Sequence, residues 1–68
     1  MRVGITGANG MLGTALMSHL SKRHDIFATS RGKGMDGHNI EWDCFDLTNT
    51  VLLNQWLEGV RPDMIIHC

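Results

Sequence analysis

The sequence predicts an α/β fold, one half of a doubly wound parallel sheet with element order β-α-β-β-α-β and strand order 3-2-1-4. Three observations carry that expectation. Arg2 to Gly13, R-V-G-I-T-G-A-N-G-M-L-G, runs from a short apolar stretch through glycines straight into a helical pattern. Beyond it, strand-like and helix-like apolar spacings alternate along the chain. The last stretch, D-M-I-I-H-C, is mostly apolar without alternation, as strands buried on both faces are. Right-handed crossovers would then set one helix on each face of the sheet.

Taken in order, Val3 to Thr6 is the first expected strand. Met11 to Lys22 is the first helix, with Leu12, Leu16 and Leu20 at i, i+4, i+8 and Ala15 beside them as the buried stripe. Lys22 and Arg23 suit the negative end of its dipole. Asp25 to Ser30 is the second strand. Arg31 to His38, R-G-K-G-M-D-G-H, is too rich in glycine for a helix and is expected as a loop. Eight extended residues reach about 27 Å and a strand of five is about 17 Å long, so a parallel return is feasible, though shorter than usual crossovers. Asn39 to Phe45 is the third strand, with Ile40, Trp42 and Cys44 on one face and Glu41, Asp43 and Phe45 on the other. A second helix is expected from Asn49 to Glu58, with Thr48 or Thr50 as N-cap. Its apolar positions are Leu52, Leu53, Trp56, Leu57 and Val60, with Gly59 as a C-terminal stop and Pro62 barring continuation. Asp63 to Cys68 is the fourth strand.

With 68 residues there is room for at most one small domain, and a chain of that size buries only about 60% of its extended surface. Hydrophobic residues make up 43%, charged residues 19%, and the net charge is −1, which gives no electrostatic case for nucleic acid or an anionic membrane. No apolar run approaches the roughly 20 residues of a membrane span, nor does the start resemble a signal peptide. Cys44 and Cys68 are expected as free thiols in a reducing, cytoplasmic setting. The fourth strand would end at the last residue with an unpaired edge, so the chain is expected to be the N-terminal half of a larger domain.

The glycine stretch has the chemistry of a phosphate cradle. Gly7 permits a tight turn, Gly10 leaves the backbone open to a pyrophosphate, and Gly13 lets the helix pack hard on the strand. The helix start adds unpaired N–H groups and a positive dipole end. With Thr6 ahead of it, T-G-A-N-G-M-L-G resembles the T-G-x-x-G-x-x-G fingerprint of the extended short-chain dehydrogenase/reductases, which bind NAD(P) on a Rossmann sheet. I-T-G-A-N-G-M-L-G is particularly similar to the opening of dehydrorhamnose reductases, which reduce a sugar attached to a nucleoside diphosphate. Met11 departs from that subgroup, where glutamine is common; backbone makes the phosphate contact at that position.

The resemblance implies a dinucleotide held by Gly7, Gly10, Met11, Leu12 and Gly13 at the pyrophosphate, and by Asp46 and Leu47 at the adenine. A cation at the end of the second strand accommodates the 2′-phosphate of NADP, where an acid would accept the ribose 2′-OH of NAD. Here stand Ser30 and Arg31, with Lys33 nearby and no acid before Asp36. NADP is therefore the expected cofactor, with NAD the alternative. Arg31 can instead be a solvated loop cation, and Asp46 can instead cap the second helix. His67 and Cys68 would lie at the other lip of the crevice, where His67 is most simply an edge residue and Cys68 has no base beside it. The histidines and cysteines do not stand at metal-ligand spacings, so no metal is expected.

Reductases of this family use a Tyr-x-x-x-Lys pair for proton transfer. This sequence contains no tyrosine, so no catalytic residue is assigned. The complete protein is expected to transfer a hydride from NADPH to a keto-sugar nucleotide, a substrate held only in that complete protein, and a homo-oligomer stays open. The rival expectations are a nucleotide-sugar epimerase or dehydratase of the same family, and a non-catalytic NADP-binding regulatory subunit.

Overall fold

A computed structural model describes residues 1–32, 34, 37 and 39–68. Lys33, Met35, Asp36 and His38, which fall in the expected loop, lie outside the described residues. The chain forms β1 (Arg2–Thr6), α1 (Met11–Leu20), β2 (Asp25–Ser30), β3 (Ile40–Cys44), α2 (Thr50–Val60) and β4 (Met64–His67). All strands pair parallel, in the order β3-β2-β1-β4. Both the class and the strand order match the expectation from sequence. The short β2–β3 connection does return the chain in parallel, with Ile26 paired to Ile40.

Alternation along β1 sends its side chains to two different cores. Val3 and Ile5 join Ile26, Ala28 and Met17 of α1, with Leu16, Leu20, Ile40, Trp42 and Ile66 packed around them. On the opposite face Phe27, Trp56 and Val60 form a second cluster with Phe45, Leu53 and Leu57. Gly4 faces this second side: a Cβ there would meet the Trp56 ring at 2.9 Å, so β1 needs a glycine for α2 to seat its tryptophan. Arg2 fastens the lower end, its Nε donating to the Val60 carbonyl at 2.6 Å while its guanidinium lies 4.5 Å from the Phe27 ring centre.

Several local expectations give way to tertiary packing. The buried stripe of α1 is Gly13, Leu16, Met17 and Leu20; Leu12, at 64% exposure, and Ala15 lie outside it. The stripe is rotated because Gly13 must sit on Ala8. A Cβ on Gly13 would fall 2.7 Å from both the Cα and the carbonyl oxygen of Ala8, and that contact sets the helix's rotation. The helix stops at Leu20 rather than Lys22, since Arg23 and His24 both donate to the Leu20 carbonyl as the chain turns back to begin β2. β3 is shorter than expected at both ends, and Asn39 enters it in the left-handed region at φ 61°.

The N-cap of α2 is Asn49, whose Oδ1 accepts from the Leu52 amide at 3.2 Å. Thr48 lies one residue before the cap and closes the preceding turn, its hydroxyl donating to Asp46 at 2.8 Å, and Thr50 is already the first helical residue. Nor does Gly59 end the helix. Burial of Val60 against Phe27 and Trp56 carries the helix onward, and Arg61 terminates it in the left-handed region at φ 50°. β4 is apolar but not buried on both faces: Met64 and Ile65 are about half exposed, because β4 is an edge strand among the described residues.

Two glycines in helices should therefore respond oppositely to alanine. Gly13→Ala should destabilise by about 1–3 kcal/mol, since overpacking against backbone outweighs the gain in helix propensity. Gly59→Ala, with nothing within 4 Å of its Cβ, should stabilise by about 1 kcal/mol. Thermal denaturation of the two variants checks both signs.

Candidate functional site

The carboxyl ends of the strands, where a doubly wound sheet places its ligand crevice, carry a polar row. Pairing puts Asp43 beside Thr29, Thr29 beside Thr6, and Thr6 beside His67, so one register line crosses the whole sheet. Below it on the same face lie Phe27, Gly4 and Ile65, the floor on which α2 packs. Thr6 and His67 are joined, Oγ1 to Nδ1 at 2.6 Å. Thr29 is fully buried, and its Oγ1 has no hydrogen-bond partner among the described residues. A buried hydroxyl without a partner costs about 1–3 kcal/mol, a cost a ligand reaching it would relieve.

Above this row lies a cleft of about 530 Å³ whose lining includes Gly7, Asn9, Thr29, Arg31, Asp46 and His67. The glycine turn forms one wall. Gly7 has φ +65°, and a Cβ on it would strike the Cys68 carbonyl oxygen, so the turn and the end of β4 fit only with glycine here. Gly10 is different. Its nearest neighbour for a Cβ is the Gly7 carbonyl at 3.8 Å, which leaves open space in front of the helix.

Gly10 is the N-cap of α1 and offers no side-chain cap; no acidic residue stands in the first turn. Among the described residues nothing accepts from the amides of Met11, Leu12 and Gly13, and Met11 is 93% exposed. The helix start is thus bare and positive; of the turn, Gly7 and Asn9 line the cleft, while Gly10, Met11, Leu12 and Gly13 lie outside its lining. An elongated dianion fits that arrangement.

Across the cleft the other expected residues assemble. Arg31 is exposed at the end of β2. Asp46 lies just past β3, its Oδ1 accepting from the Thr48 amide at 2.9 Å and the Thr48 hydroxyl at 2.8 Å. These two hydrogen bonds, with a smaller contribution from the Arg31 charge, hold the Asp46 carboxyl below its ordinary value. Asp46 builds the turn that precedes α2, while Asn49 does the capping. Leu47 lines the same wall.

The Ser30 hydroxyl is committed within the fold, donating to the Gly32 carbonyl at 2.7 Å and accepting from the Trp42 indole at 2.9 Å. Cys44 and Cys68 are both free and exposed. Sequence reasoning used Thr6 only as the opening of the glycine fingerprint and did not single out Thr29. The signal available was that Thr6, Thr29, Asp43 and His67 all turn polar at the same end of otherwise apolar strands.

No helix among the described residues is long and apolar enough to cross a membrane. The family model described as RmlD substrate binding domain matches residues 1–68. Among solved structures, this chain is similar to the Bordetella bronchiseptica enzyme WbmG in complex with NAD, at 25% identity and TM-score 0.91, covering 100% of this chain and 24% of that one. It is similar to uronate dehydrogenase from Agrobacterium tumefaciens, at 26% identity and TM-score 0.83, over 97% of this chain and 25% of that one. A short chain dehydrogenase from Leptospira borgpetersenii with bound NAD+ matches at 28% identity and TM-score 0.75, over 98% and 30% of the two chains. This chain therefore spans about a quarter of the length of the structures it resembles.

Two outcomes follow from the site's geometry. Thr29→Val removes the partnerless hydroxyl at constant shape, so it should raise the stability of the ligand-free protein by about 1 kcal/mol, read as a higher Tm. For Asp46 the folded-state pKa is depressed, so its ionised form stabilises the fold above the unfolded-state pKa and that benefit is lost as pH falls through the folded value. The stability gap between the wild type and Asp46→Asn should stay constant near neutrality and close in acid, as denaturant unfolding across a pH series would show.

Proposed function

The chain belongs to the RmlD substrate-binding-domain family, and from that premise we propose that it is the dinucleotide-binding half of a nucleotide-sugar reductase of the extended short-chain dehydrogenase/reductase type. The observation that carries the proposal is the uncapped start of α1, which follows directly on a glycine turn whose Gly7 and Asn9 line one cleft with Arg31 and Asp46. The amides of the turn and first helical residues, Gly7, Gly10, Met11, Leu12 and Gly13, would hold the pyrophosphate. Arg31 would take the 2′-phosphate of NADP. Asp46, whose second carboxylate oxygen has no partner among the described residues, would accept from the adenine amino group, with the Leu47 backbone beside it.

Ser30 would serve by shaping the turn that carries Arg31, since its one proton is already given to Gly32. The bound dinucleotide supplies a hydride for the keto carbon of a sugar nucleotide in the intact protein. This half would hold and orient the donor. The proton donor of such a reaction lies elsewhere, as the 68 residues contain no tyrosine.

A second reading, an NAD-linked enzyme acting on a sugar nucleotide, draws support from WbmG, which has been solved with NAD and also with NAD and UDP. The residue at the end of β2 separates the two. A charge-assisted contact to phosphate contributes about 1.5–3 kcal/mol, or roughly ten- to hundredfold in affinity.

Titration of the intact protein with NADPH and NADH tests the proposal. NADPH should bind about ten- to hundredfold more tightly, and Arg31→Ala should bring the two affinities together. Equal affinity for both cofactors in the wild type would favour the NAD-linked reading, and binding of neither would remove the dinucleotide proposal altogether.

A further inference from the structure

We propose that Trp42 is the positioning residue for Arg31 and thereby a determinant of which dinucleotide this site prefers, a proposal that rests on Arg31 as the 2′-phosphate contact. Arg31 is an exposed side chain at the mouth of a loop, and a free arginine there would spend considerable rotamer and backbone entropy on holding a phosphate. The fold limits that loss by tying down the residues on both sides of it.

On one side Ser30 is buried and accepts the Trp42 Nε1–H at 2.9 Å. Its hydroxyl in turn donates to the carbonyl of Gly32, on the other side, at 2.7 Å. The same carbonyl accepts the Cys44 thiol at 3.1 Å, a weaker bond because sulfur is a poor donor. The residues on either side of Arg31, through the Ser30 hydroxyl and the Gly32 carbonyl, thus belong to one hydrogen-bonded relay that begins at the indole.

Trp42 also sets the direction of this relay. An indole N–H can only donate, whereas a serine hydroxyl has one proton and can rotate it. With the indole N–H directed at its oxygen, the Ser30 proton must point elsewhere, and the Gly32 carbonyl is where it goes. Without the indole N–H, the hydroxyl regains its freedom and the turn loses its closure.

An independent contact supports the same role. A Cβ on Gly34 would lie only 1.8 Å from Cε2 of Trp42, so the backbone beyond Arg31 rests directly on the indole, and only glycine allows it. The ring itself is half-buried against the core on the α1 side, which makes it a fixed reference for the loop. Asn9 of the glycine turn closes the other side, its amide nitrogen 3.6 Å from where a Gly32 Cβ would stand.

The test compares affinity ratios in the intact protein. Trp42→Phe keeps an aromatic ring in the core but removes the indole N–H together with the fused part of the ring on which Gly34 rests, so it should lower the NADPH-to-NADH preference at least about fivefold, the worth of one ordinary hydrogen bond. Ser30→Ala should do the same by a different route and carries the test if Trp42→Phe fails to fold, which circular dichroism and thermal melting would reveal.

In an Arg31→Ala background neither substitution should change the ratio further, since the relay acts only through Arg31. If Arg31→Ala abolishes the preference but Trp42→Phe and Ser30→Ala preserve it, Trp42 is a packing residue and the proposal is overturned with the cofactor assignment intact. If Arg31→Ala itself leaves the ratio unchanged, the cofactor assignment fails and the proposal falls with it.

Discussion

The approach of Gly13 to Ala8 is the constraint on which the rest of the structure depends. Backbone meets backbone there with no room for a methyl group, so α1 is held against the turn at a single rotation and a single height. The same rotation turns Met11 and Leu12 outward. A helix displaced by one side chain would still be a helix on a sheet, but its first turn would no longer sit against the glycine turn that lines the cleft.

The two faces of the sheet divide the work. The α1 side holds a compact aliphatic core in which Val3, Ile5, Ile26 and Ala28 are almost wholly buried, and burial there contributes on the order of 1.5–3 kcal/mol for each larger side chain. The α2 side is aromatic in its lower part and polar at its top. Gly4 admits Trp56, while one step further along the alternation Thr6 meets Thr29 and His67. The change from apolar to polar along a single face marks where the core ends and the ligand crevice begins.

Electrostatics in the cleft favour an anion without being uniformly positive. The helix start contributes about half a positive charge, and Arg31 contributes a full one. Asp46 opposes them, but Thr48 engages one of its carboxylate oxygens and Arg31 lowers its cost of ionisation. The result is a gradient along the cleft, positive at the glycine turn and at the end of β2, and hydrogen-bond accepting beside the start of α2. An extended ligand with phosphates at one end and an amino group at the other matches that gradient.

Sequence alone determined the element order and the parallel strand order, because these follow from local signals: glycine spacing, apolar periodicity and the handedness of crossovers. It also marked Arg31 and Asp46, whose positions follow from strand ends. Only the tertiary structure decided which face of α1 is buried, where α2 stops, and that Thr29 is left without a partner. These depend on contacts between residues far apart in the chain. Gly13 against Ala8 overrode the leucine stripe, and Val60 against Phe27 overrode the glycine stop. The tie from Trp42 through Ser30 to Gly32 forms only when β3 lies beside β2, and no local spacing encodes that a half-buried indole will donate to a serine.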